Sequence, residues 1–75
     1  MDFTFDANND SAYISFLTKE SRWSRAVRSE TLLDTNVRED IVLDFDDDGH
    51  LIGLEFLTAR RNLRPEVLKQ ARQQG

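Results

Sequence analysis

The richest concentration of reactive side chains in this chain is the segment from Asp44 to Glu55, DFDDDGHLIGLE. It fits the calcium-loop pattern D-x-[DN]-x-[DN]-G-x5-E at every position. In that reading Asp44, Asp46 and Asp48 supply carboxylates, Gly49 the sharp turn, His50 a carbonyl and Glu55 a bidentate carboxylate. Three features oppose it. Ile41-Val42-Leu43 leads in as a β-branched strand rather than a helix, and no second loop completes the usual pair. Ile52, Leu54 and Phe56 also alternate straight through the second half of the segment, as a strand does. With Asp46-Asp47-Asp48-Gly49 as a hairpin tip, Glu55 lies roughly 20 Å along the strand from it, at ~3.3 Å per residue. A β-hairpin is therefore expected, with calcium binding through Asp44–Glu55 as the alternative.

The remaining candidates carry less chemistry. Asp44, Asp46 and Asp47 suit a solvated edge and turn, and nothing nearby offers the buried setting that separates the pKa values of a catalytic dyad. His50 follows the turn as a solvent-facing strand residue, and the serines have no His-acid set to activate them. With no cysteine and one histidine, neither a thiolate site nor a His-rich zinc cage can form. No catalytic, cofactor-binding or metal residue is assigned, and a non-enzymatic protein without a cofactor is expected.

Charge is distributed unevenly along the chain. Residues 1–57 carry thirteen Asp/Glu against five Lys/Arg, which is −8; residues 58–75 carry five Lys/Arg against Glu66, which is +4, and the sum is the net −4. The cations are Arg60, Arg61, Arg64, Lys69 and Arg72. Weak nucleic-acid binding through this tail is a second alternative, but an acidic body repels phosphate and the tail has no aromatic for stacking. A basic helix seated beside an acidic sheet, in its own chain or across a subunit interface, is the favoured reading.

These side chains must be positioned by a small fold. Seventy-five residues form one domain, and a chain of this size buries only roughly 60 % of its unfolded surface. Added burial through a homo-oligomer, a dimer or higher, is the expected compensation. No apolar run approaches the ~18 residues of a membrane span, and Met1-Asp2-Phe3-Thr4 begins no basic signal peptide, so a cytoplasmic protein is expected.

Phe3 and Phe5 share one face of a first strand, and Ala12, Ile14 and Phe16 share one face of the next. Asp6 to Ser11 between them is turn chemistry. RWSRAVRSETLL reads as a strand carrying Trp23, Arg25, Val27, Ser29 and Thr31 on one face, with a weak helix as the alternative, and a loop follows over 34–39. IVLDF and HLIGLEFL are the clearest strands, joined by the Asp-Gly turn. Pro65, Glu66 and the stripe Leu63, Val67, Leu68 and Ala71 predict a C-terminal helix, too short to stand alone in water. Trp23 and Tyr13 are candidate core or interface anchors.

FDANNDSAYISF, followed some thirty residues on by IVLDFDDDGHLIGLEFLTA, resembles the small prokaryotic proteins of domain-of-unknown-function family 2283. Asp10, Tyr13-Ile14, Leu43-Asp44, Asp48-Gly49 and Gly53-Leu54-Glu55-Phe56-Leu57 carry the resemblance. The chain departs at Phe5, where tyrosine is usual, and at Ala12, where a larger apolar residue is usual. Residues 31–39 make a longer connection, and the tail after Arg60 is an addition. The resemblance implies a compact antiparallel sheet and no established activity. Some members lie beside small toxin-like proteins, which implies an antitoxin-like role.

The expected architecture is α+β: a small antiparallel sheet of four to five strands in meander order over residues 1–59, then one basic C-terminal α-helix over 60–75. Phe3, Phe5, Ile14, Phe16, Leu43, Phe45, Ile52, Leu54 and Phe56 are expected on its inner face. The expected role is a protein-interaction module, either self-assembling or antitoxin-like toward a small protein partner.

Overall fold

Alternating apolar residues form strands where the sequence predicts them, in a computed structural model that describes residues 1–18, 26–31 and 40–74. The elements are β1 (Asp2–Asp6), β2 (Ser11–Ser15), β3 (Arg28–Thr31), β4 (Ile41–Phe45) and β5 (Leu51–Phe56), then α1 (Ala59–Asn62), α2 (Pro65–Leu68) and β6 (Arg72–Gln74). One mixed sheet holds all six strands in the order β3-β4-β5-β2-β1-β6. The sheet is therefore larger than the expected four to five strands, and it is not a simple meander. Two antiparallel units, β1-β2 and β3-β4-β5, join where β2 pairs with β5. The physical reason lies in the composition of the strands. LIGLEF is strongly apolar and takes a central place with Ile52 and Phe56 buried, whereas RSET and RQQ are polar and take the two edges. The positions of Trp23 and Arg25 and the loop expected over 34–39 lie outside the described residues.

Residues 60–75 do not form one helix. Pro65 begins α2 as expected, but the residue before a proline is driven out of the helical region, and Arg64 sits at φ −66, ψ 151. That break leaves two helices of four residues each. After α2 the chain tightens through N–H bonds from Gln70 to the Val67 carbonyl and from Ala71 to the Leu68 carbonyl. Leu68 and Ala71 are thereby buried against the sheet, and Arg72–Gln74 adds to β1 as a parallel strand. An open strand edge binds three residues that are too few to gain stability as a helix.

Paired residues point to the same face, so the register divides the sheet into two sides. Phe5, Ala12 and Phe56 line the apolar side and cluster with Ala59, Leu68 and Ala71, while Phe3, Ile14, Ile41, Leu54 and Leu63 pack around them half-buried. Of the nine residues expected inside, Phe5, Ile52 and Phe56 are buried and Phe3, Ile14, Leu43, Phe45 and Leu54 are half-buried. Phe16 is a correction: at 38 % exposure it lies just past the end of β2, outside the paired strand.

Two aspartates hold α1, which has no side-chain cap of its own. Asp10, in the β1–β2 turn at φ 52, accepts the Ala59 N–H on its carbonyl (2.8 Å) and the Arg60 N–H on Oδ1 (2.9 Å). Asp40, buried before β4, accepts bonds on Oδ2 from Arg61 Nη2 and Asn62 Nδ2, both at 2.9 Å. Burial works to raise the Asp40 carboxyl, but the Asn62 and Thr58 side chains and the Arg61 charge outweigh it and hold the pKa below its ordinary value. The tail seats on the acidic body in its own chain through three such pairs: Arg60–Asp10, Arg61–Asp40 and Arg72–Asp2. Arg64 pairs locally with Glu66, which leaves Lys69 as the tail's cation without an ion-pair partner among the described residues.

Candidate functional site

The face opposite the helices is polar, built by the alternate residues of the same strands. Tyr13 on β2 stands across from Glu55 on β5, and Glu55 across from Val42 on β4. The Tyr13 side chain crosses β5 diagonally and donates its hydroxyl to Asp44 Oδ2 at 2.8 Å. Asp44 Oδ1 accepts the Ser29 hydroxyl from β3 at 2.6 Å. One polar line thus ties β2, β4 and β3 together over β5.

Gly53 makes the crossing possible. A Cβ at that position would collide with the Tyr13 hydroxyl and ring, so the tyrosine lies where a side chain would otherwise stand. An aromatic ring covering a strand glycine is a recurrent way to fill such a gap. Gly49 serves a different need, at φ 82 in the β4–β5 turn, where the left-handed region favours glycine.

The electrostatics of the line restrict its chemistry. Burial, the bond to Asp44, and the negative charges of Asp44 and Glu55 push the Tyr13 hydroxyl from 10.0 up to about 12. It stays protonated at neutral pH and acts as a donor, not as a base or nucleophile. Because the folded value is raised, this group favours folding fully below pH 10.0 and loses that contribution as pH rises through about 12. Tyr13 is the only tyrosine, so tyrosinate absorbance should titrate near 12 in the folded chain and shift down in Asp44→Asn. An unshifted titration in that variant would show that Asp44 does not control the hydroxyl.

The residues of the calcium pattern separate into two groups. Asp46, Asp48 and His50 gather at the turn, with potential ligand atoms within 4.8 Å of one another. Asp46 Oδ1, however, already accepts the N–H groups of Asp48 (3.0 Å) and His50 (2.9 Å), so this carboxylate shapes the turn. Asp44 is committed to Tyr13 and Ser29, and Glu55 lies on β5 rather than at the turn. The opening segment is a hairpin, as its alternation predicts. Among the described residues the half-buried Glu55 carboxylate has no hydrogen bond or ion pair of its own.

Tyr13, Asp44, Gly53 and Glu55, all residues that carry the sequence resemblance, thus meet on one patch. The family model for proteins of unknown function, DUF2283, matches residues 2–60. The chain belongs to the DUF2283 family. Comparison with curated proteins and with solved structures finds no match to this chain. The DUF2283 match runs from β1 into α1, so α2 and β6 lie beyond it, in line with reading the tail as an addition. Among the described residues no helix is long and apolar enough to cross a membrane.

Reading the sequence alone missed three parts of this DUF2283 module. Asp10, though part of the resemblance, and Asp40 act on α1 from distant turns, and no local pattern shows that role. Gly53 did leave a signal: an isolated glycine inside an alternating strand marks close approach by another group.

Proposed function

We propose that this DUF2283 chain is a non-enzymatic protein-interaction module, antitoxin-like rather than self-assembling, whose polar sheet face covers a cationic segment of a small protein. The observation that carries the reading is Glu55, a half-buried carboxylate in mid-sheet whose neighbour Tyr13 is already committed to Asp44. A carboxylate held in place but unpaired favours a Lys or Arg arriving from outside. The tail of a second copy offers little for that role, because its four arginines are already paired within the chain and only Lys69 is left.

The test is affinity capture from host lysate with the tagged chain, the complexes being weighed by light scattering and identified by mass spectrometry. One stoichiometric partner with a basic contact surface is expected. It should be lost in Glu55→Lys, while circular dichroism remains that of a folded sheet. A discrete homo-oligomer with no second protein would favour the self-assembling form. A monomer without a partner, or a partner indifferent to Glu55→Lys, would overturn the assignment to this face.

A further inference from the structure

On the opposite side of the sheet, α2 and the turn before it leave a groove of about 550 Å³ beside β1 and β6. Phe5, Leu63, Pro65 and Leu68 form its apolar lining, and Arg60, Lys69 and Gln73 its polar rim. Among the described residues no carboxylate lines it, although the chain as a whole carries −4. The two cations differ in their freedom. Arg60 is held over the Phe5 ring at 5.3 Å and donates Nη2 to the Ala7 carbonyl at 3.2 Å, with Asp10 at 3.4 Å from Nη1. Lys69 has no hydrogen bond or ion pair among the described residues, so its ammonium group is available. The Gln73 amide donates to the Ala71 carbonyl at 3.1 Å, which leaves its oxygen to accept.

We propose that this groove binds an amphipathic monoanion, an aliphatic carboxylate whose chain lies on Phe5, Leu63 and Leu68 and whose head group meets Lys69 and Arg60. The volume falls within the roughly 300–1,000 Å³ usual for small-ligand sites, and an apolar lining with a few convergent polar groups is their usual composition. The charge selects the head group: Lys69, which has no ion-pair partner among the described residues, favours an anion over a neutral or cationic group, and Arg60, already paired with Asp10, adds less. The apolar lining selects the remainder, since a small hydrated anion would gain nothing from Phe5 or Leu68. This site is separate from the polar face, and its test reads independently of partner capture.

Decanoate, kept below its micelle-forming concentration, is titrated into the full chain and followed by nuclear magnetic resonance. Saturable shifts confined to Phe5, Arg60, Leu63, Leu68, Lys69 and Gln73 are expected. Lys69→Gln should weaken binding roughly two- to fivefold, the size of an exposed ion pair. Decanol, with the same chain and no charge, should bind more weakly than decanoate. Equal binding of decanol, or no effect of Lys69→Gln, would remove the anion from the proposal and so overturn it. Shifts scattered over the molecule, or none that saturate, would show that the groove is only a seam between α2 and the sheet.

Discussion

Gly53→Ala is expected to destabilise the chain by about 2–4 kcal/mol, a large loss for one methyl group. The new Cβ would occupy the place of the Tyr13 hydroxyl and ring. β5 cannot yield, because it is paired on both sides, to β2 and to β4. Tyr13 must swing away, which breaks its 2.8 Å bond to Asp44 and uncovers the strand beneath it. Overpacking of this kind typically costs about 1–3 kcal/mol, and a hydrogen bond to a charged group contributes about 1.5–3. Because Tyr13 relieves the overpacking as it leaves, the two costs do not add in full, and urea unfolding followed by circular dichroism measures the net loss. A double-mutant cycle isolates the cause: in a Tyr13→Ala background the same change should cost less than about 1 kcal/mol, because alanine by itself is better than glycine inside a strand. An undiminished cost there would mean that the glycine serves some contact other than Tyr13.

Phe56→Ala should have the larger effect, about 3–5 kcal/mol. Phe56 pairs with Ala12 on one side and Ile41 on the other, and belongs to the cluster formed by Phe5, Ala59, Leu68 and Ala71. Its removal would open a cavity beneath α1 and α2, elements too short to close over it. At about 0.05–0.15 kcal/mol per residue the total stability is roughly 4–11 kcal/mol, so much or all of it is at stake. Loss of a cooperative thermal transition, or a midpoint displaced far downward, is the expected observation. Phe16→Ala is the control: at 38 % exposure that ring should cost a fraction as much. Equal losses for the two phenylalanines would place the centre of the core elsewhere.

Both expectations depend on pairings of unequal legibility in the sequence. The β1–β2 and β4–β5 hairpins could be read directly, since alternation flanks turn residues in each and the strands are neighbours in the chain. The partner of β2 could not. Chain order offers β3, but β5 buries more apolar surface and takes the central place, leaving the polar β3 at the edge. That choice brings Tyr13 within reach of Asp44, thirty-one residues away in the chain.

By itself, then, the sequence determined the hairpins, the Asp46–Gly49 turn, the start of a helix at Pro65, the family and the acidic and basic halves. These depend on interactions between residues close in the chain, or on composition, and both are visible along a line. Only the tertiary structure decided that β5 lies between β4 and β2, that Gly53 makes room for Tyr13, and that Asp10 and Asp40 hold α1. It also decided that the tail splits into two helical turns and an edge strand, because burial of Leu68 and Ala71 together with an open edge on β1 outweighed a weak local preference for helix.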